Sequence, residues 1–154
     1  MEQNIYIPGD LVTTNGVPFG TTEGVVYRVK AMHPDREVKL KNGTVLKGEI
    51  ILENTEKAKS SDKSYPFYKW GAWVKDIVPL ELSSEILEKN GWKPNDMMPY
   101  PTYFKGKTSE YVLMFDGYFW RFKYDGRFLP VEIKYIHQLQ HLLFGLGLNS
   151  KMEV

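Results

Sequence analysis

His137 and His141, four residues apart near the C-terminus, are the pair whose types and spacing come closest to chemistry. On a helix, positions i and i+4 share a face, so two imidazoles can reach one metal ion. The intervening residues are Gln138, Leu139 and Gln140. The segment therefore lacks the glutamate that a H-E-x-x-H metalloprotease uses as its base, and no third ligand is indicated. No metal is expected. The two histidines lie off the helix's leucine face, on the side of Gln140 and Phe144, and a large apolar residue on a polar face wants cover. His137, His141 and Phe144 are read as a contact strip, against the first domain or a partner subunit. His33, in a turn beside Pro34, needs no role.

Other catalytic constellations are missing. The chain has no cysteine, which removes thiolate nucleophiles, disulfides and cysteine-type metal sites. There is no Gly-x-Ser-x-Gly element and no phosphate-binding glycine loop before a helix. Asp116 and Asp125 each precede a glycine, where turn geometry accounts for them. No catalytic residue and no cofactor are assigned. What remains is binding chemistry. Tyr65, Phe67, Tyr68, Trp70 and Trp73 form an aromatic group that can stack on bases or sugars, or serve as core and protein interface. Arg28, Lys39, Lys41 and Lys47, with Tyr68 and Trp70, are the contacts a nucleic acid would use. Charge argues against a dedicated nucleic-acid binder: residues 1–79 hold 11 Lys/Arg against 10 Asp/Glu, and residues 80–154 hold 9 against 9.

These side chains must be positioned by elements the pattern defines. With 42% hydrophobic and 14% aromatic residues in 154, the chain can bury a core. No stretch approaches the roughly 18 apolar residues of a membrane span, and the N-terminus does not read as a signal peptide. A cytoplasmic protein without membrane contact is expected. Residues 1–79 read as short strands between glycine turns: Gly9 to Val12, Gly24 to Val29, and the pair Val38–Leu40 and Thr44–Leu46 about Asn42-Gly43. That hairpin sets Lys39 opposite Leu46 or, with a bulge, Leu40 opposite Leu46. His33-Pro34-Asp35 reads as a turn, and Glu53 to Ser64 as an exposed polar loop. Trp70 to Val74 makes a further strand and Ile77 to Pro79 closes the domain.

Residues 80–154 read as an α+β unit. Ser83 caps a short helix, Ser84 to Asn90, and Gly91 stops it. Lys93 to Pro101 is an extended connector. Glu110–Phe115 and Tyr118–Tyr124 flank Asp116-Gly117, which favours a two-residue turn pairing 115 with 118, 113 with 120 and 111 with 122. That register gathers an aromatic face and sets Glu110 opposite Lys123. Arg127 to Ile133 returns as a third strand, an edge or bulged one because of Pro130. At about 100° per residue, Tyr135, Ile136, Leu139, Leu142, Leu143 and Leu146 share an arc roughly 120° wide. A helix from about Lys134 would lay that arc on the aromatic face, although it lacks an evident N-cap.

Two resemblances add to this reading. GDLVTTNGVPFGTTEGVVYRV, residues 9–29, resembles the opening of a KOW motif, which runs Gly-Asp-x-Val, a glycine turn, then Gly-x-Val. The resemblance implies a small SH3-like β-barrel of a kind that often contacts RNA or ribosomes. Val12 to Tyr27 carries no Lys or Arg, a departure that weakens the inference to RNA. PLELSSEILEKNGW with VEIKYIHQLQHLLFGLG, within residues 78–147, is similar to small uncharacterised proteins of gut Bacteroidales, their mobile elements and phages. That similarity implies a phage or mobile-element association, virion-associated if phage-encoded, and no activity. The expected fold is β-rich α+β: an SH3-like barrel (1–79), then a helix, an antiparallel sheet and a covering C-terminal helix (80–154). The expected function is a non-catalytic interaction module with a protein partner, itself or a host or phage protein. RNA or DNA binding through the barrel is the alternative, and a small-molecule enzyme ranks last.

Overall fold

The computed structural model of the chain describes residues 5–56 and 69–154. It divides into two compact units, Met1–Leu80 and Glu81–Val154, each built on a five-stranded sheet. The protein is mixed α+β, and mostly strand. Among the described residues no helix is long and apolar enough to cross a membrane.

In the first unit, Gly9 and Asp10 set the entry. Gly9 holds φ at +100°, a conformation glycine reaches without a Cβ penalty, and the buried Asp10 carboxylate accepts the Ile7 N–H at 2.9 Å. The turn delivers β1 (Leu11–Thr14), buried along its length. β2 (Tyr27–Lys39), β3 (Val45–Asn54), β4 (Lys69–Trp73) and β5 (Ile77–Pro79) follow, with one 3-10 turn, Val74–Asp76, between the last two. The strands lie in the order β4-β3-β2-β1-β5, all antiparallel. Alternate residues face one core, which holds Tyr6, Val12, Tyr27, Val29, Ile50, Leu52, Ala72 and Ile77. No pairing joins β4 to β5 among the described residues, so the sheet is open and the closure expected of a barrel is not made.

Two local expectations are corrected here. His33-Pro34-Asp35 is not a turn but part of a 13-residue strand. Pairing jumps from His33↔Glu49 to Glu37↔Lys47, leaving Pro34, Asp35 and Arg36 opposite Gly48 alone. Proline has no N–H for the ladder, and a bulge is where a strand tolerates it. At Asn42-Gly43 the pairs are Lys39↔Val45 and Val38↔Leu46, so neither register expected for that hairpin forms. Leu40 N–H donates to Thr44 O at 2.8 Å and Gly43 N–H to Leu40 O at 3.0 Å. With Gly43 at φ +86°, this is a type I turn closed by a glycine bulge.

The second unit opens with α1 (Ser84–Lys89), whose N-cap Ser83 accepts the Ile86 N–H at 3.3 Å; Gly91 follows at φ +85°. β6 (Lys93–Pro94), β7 (Thr102–Lys105), β8 (Tyr111–Phe115), β9 (Trp120–Tyr124) and β10 (Arg127–Ile133) form a meander in sequence order. The two-residue turn expected at Asp116-Gly117 is corrected to a four-residue one: Phe115 pairs with Trp120, Leu113 with Phe122 and Tyr111 with Tyr124. Asp116 is the cause. Its carboxylate accepts the Tyr118 and Phe119 amides at 2.9 and 2.8 Å and the Arg121 Nε–H at 2.8 Å. Those amides, with Arg121, hold its pKa down at about 2. Tyr118 is consequently exposed in the loop, and Lys123 stands opposite Val112 instead of Glu110. The slip is two residues, so the faces survive: Leu113, Trp120 and Phe122 remain on one buried side. Pro130 sits in edge strand β10, between the register shifts at Phe128 and Glu132, as its chemistry required.

α2 (Ile136–Gly145) buries Ile136, Leu139 and Leu143 of the expected arc, while Leu146 is exposed. Three such side chains contribute on the order of 5–9 kcal/mol at most. Its start is fixed by Gln138, whose side-chain oxygen accepts the N–H groups of Lys134 at 2.8 Å and Tyr135 at 3.0 Å, one half of a capping box. The C-terminal segment then folds back. Asn90 bonds Glu153 in both directions, Nδ2 to Glu153 O at 2.7 Å and Oδ1 from Glu153 N–H at 2.8 Å, and Met152 is buried.

Candidate functional site

Residues 33–47 of the first unit form a projecting β-ribbon. Apart from half-buried Leu46, every one of them is exposed. The β4 ladder stops at Glu49↔Trp73 and the β1 ladder at Leu11↔Arg28. Val29 still bonds the Gly9–Asp10 backbone and Val74 lies against Gly48. From Glu37 to Lys47, β2 and β3 pair only with each other among the described residues. The ribbon is two-faced. Ile50 and Leu52 set the core side of β3, and the same side continues outward as Leu46 opposite Val38 and Thr44 opposite Leu40. Val38 is 40% exposed and Leu40 41%. The other side carries the pairs Glu37↔Lys47 and Lys39↔Val45. From Val38 to Gly48 there are three lysines, Lys39, Lys41 and Lys47, and no acidic residue. Arg36, at the ribbon's base, is taken by Glu49 at 2.6 Å.

The structure therefore carries Lys39, Lys41 and Lys47 on one ribbon, Lys47 opposite Glu37, and leaves Arg28 out. Arg28 stands 11 positions back along β2, on the order of 30 Å of strand away, and its Nη1 donates to Gly9 O at 3.0 Å. Of the aromatic group, Tyr65, Phe67 and Tyr68 lie outside the described residues. Trp70 is described as backbone only, opposite Leu52, and Trp73 is half-buried opposite Glu49. The helical strip is broken up. His137 is 4% exposed, packed between the rings of Tyr135 at 5.8 Å and His141 at 5.6 Å. Gln140, on the same side, is buried and donates to Ser150 O at 3.2 Å, so the returning C-terminal segment occupies that side. Phe144 alone of the set is open, at 66%. Among the described residues no three His, Cys, Asp or Glu side chains are grouped to hold a metal ion.

Sequence reasoning missed a cleft in the second unit. A cavity of about 200 Å³ is lined by Trp92, Lys105, Gly106, Tyr111, Leu143, Leu148 and Asn149. Lys105 Nζ donates to Asn90 O at 2.8 Å and lies 5.7 Å from the Trp92 ring centroid. Burial pushes its pKa below the usual lysine value. Tyr111 stacks on Tyr124 at 5.3 Å; burial, then Tyr124 and Glu110, push its phenol pKa up, so it stays neutral. The T-Y-F-K alternation of Thr102–Lys105, just past the connector expected over Lys93 to Pro101, signals the strand that carries Lys105 but not the cleft itself.

No protein-family profile, curated protein or solved structure matches the chain.

Proposed function

We propose that the protein is a non-catalytic protein-interaction module whose working surface is the β2–β3 ribbon. The observation that carries this is the continuation of the sheet's core side, as Val38, Leu40 and Leu46, past the point where the first unit covers it. Solvent-facing ribbon positions favour polar residues, and an exposed aliphatic row flanked by lysines suits an acidic protein partner with an apolar groove. The open outer edges of β2 and β3 allow that partner to add a strand. Unit 1 is read as an SH3-like, KOW-like barrel left open between β4 and β5. The strand order β4-β3-β2-β1-β5, and the 3-10 turn between β4 and β5, support that reading. The similarity of residues 78–147 to Bacteroidales and phage proteins supports a phage or mobile-element association, cytoplasmic or in the virion.

The test is partner capture with three forms of the protein: unaltered, Val38→Thr with Leu46→Thr, and Lys39→Gln with Lys41→Gln and Lys47→Gln. The partner should be lost from the apolar variant, and its retention should become salt-independent in the lysine variant. A partner retained equally by all three would remove the ribbon from the mechanism. One observation favours RNA or DNA as a second reading: the lysine cluster itself. Three phosphate contacts would give a log–log salt slope of only about −2 to −3, too shallow for tight binding by charge alone, and the ribbon offers no Phe, Tyr or Trp for stacking, only His33 at its base. Binding of single-stranded RNA and duplex DNA at two salt concentrations decides it. A slope near zero removes the nucleic-acid reading.

A further inference from the structure

We infer that the cleft between β7, β8, α2 and the C-terminal segment is a binding site for a small apolar carboxylate, a single ring or short branched chain bearing one carboxyl group. The inference is independent of the ribbon. The walls are Trp92, Tyr111, Leu143 and Leu148, and the charged lining residue is Lys105. Trp92 and Leu143 are core residues, 2% and 5% exposed, and form an apolar floor to the cleft. Lys105 forms no ion pair among the described residues; its assigned partner is the neutral carbonyl of Asn90. An ammonium has three N–H donors, so two remain for a ligand. The nearest carboxylate in the chain order, Glu110, is engaged by Thr108 N–H at 2.9 Å and Thr108 Oγ1 at 2.8 Å.

Size and charge narrow the ligand. A cavity of roughly 150 Å³ lined by aliphatic and aromatic side chains can hold benzene, so about 200 Å³ accommodates one ring with a short acidic arm. A single cation, with no arginine in the lining, matches a monoanion better than phosphate. The partly desolvated ammonium lacks a counter-charge, and a carboxylate would supply it, while the ring covers Leu143 and Leu148.

The experiment uses the full chain, observed by NMR at the Trp92 indole and the Leu143 and Leu148 methyls. Phenylacetate is titrated to about 10 mM, with 2-phenylethanol as the uncharged probe and phenethylammonium as the cationic one. Saturable shifts at all three side chains are expected with phenylacetate. A charge-assisted hydrogen bond corresponds to roughly ten- to a hundredfold in affinity, so the alcohol should bind weaker by that factor and the amine should not bind. Lys105→Met should reduce phenylacetate affinity to that of the alcohol. Equal affinity for acid and alcohol on the unaltered protein would overturn the proposal without recourse to any variant. So would saturable shifts that persist undiminished in Lys105→Met, or none with any probe.

Discussion

Gly48 decides whether the ribbon is a built feature or a fraying end. It holds φ at +78°, and a Cβ there would sit 2.7 Å from Val74 Cγ2 and 3.9 Å from Pro34 O. Alanine at 48 therefore incurs two costs. The left-handed backbone costs an L-residue about 1–2 kcal/mol, and forcing a methyl against Val74 adds about 1–3 kcal/mol of overpacking. The total is roughly 2–5 kcal/mol. Gly43 supplies the internal control, since it has φ +86° but nothing within 4 Å of the added carbon. Gly43→Ala should cost only the backbone part, about 1–2 kcal/mol. Amide exchange at Val29, Ile50 and Leu52 reads the opening free energy of the first unit. Adding Val74→Ala to Gly48→Ala should recover the steric part, a coupling of about 1–3 kcal/mol. Equal costs at 43 and 48, with no coupling to Val74, would refute the idea that the 3-10 turn clamps the ribbon's base.

Three further outcomes follow from the second unit. The Asp116 carboxyl titrates at about 2 in the folded protein against an ordinary 3.8. Its stabilisation is complete above pH ~4 and lost as pH falls toward 2; Asp116→Asn should flatten that part of a denaturant-midpoint profile. Met152→Ala should cost about 2–5 kcal/mol, because the side chain is buried; a near-zero loss in calorimetry would mean that the C-terminal segment does not belong to the core. Asn90→Ala removes both bonds to Glu153, at about 1–3 kcal/mol, and should speed exchange of the Glu153 amide before that of any residue in α2.

How much of this was legible depended on the range of the cause. Ser83 and Gly91 are local signals, and α1 begins and ends where they say. Pro130 announced an edge strand because a missing N–H has the same consequence wherever it occurs. The hairpin at Asp116 was half legible. Alternation fixes which residues share a face, and a two-residue slip leaves that intact, so Leu113, Trp120 and Phe122 were identified while their partners were not. The competing cause was one carboxylate able to hold two amides and a guanidinium, which the Asp-Gly pair hides. Gln138 was a missed capping signal of the same local kind. The cleft was illegible for a different reason: the sheet brings Trp92, Lys105 and Tyr111 together, but Leu148 and Asn149 close the lining only after the chain past α2 folds back, and nothing local foretells that. The burial of His137 and Gln140 has the same origin.

The ribbon shows why an exposed apolar row is more than composition. V-K-L-K-N-G-T-V-L-K reads as an ordinary amphipathic hairpin, with one side meant for a core. What the letters omit is that β4 ends at Trp73, opposite Glu49, so the core side runs out of cover before Leu46. Lysines on an open edge also discourage strand-to-strand aggregation, and that role alone would account for Lys39, Lys41 and Lys47. It does not account for Val38 and Leu40, which raise the very hazard the lysines would guard against. The two explanations separate on stability. If the aliphatic row served the fold, Val38→Thr with Leu46→Thr would lower the exchange-measured stability of the first unit by well over 1 kcal/mol. If the row serves a partner, the same pair should leave it within about 0.5 kcal/mol, the range of surface changes, because threonine keeps the β-branched shape at 38 and favours strands at both sites. Unchanged stability with loss of capture assigns the row to binding, and lost stability with capture intact assigns it to the fold.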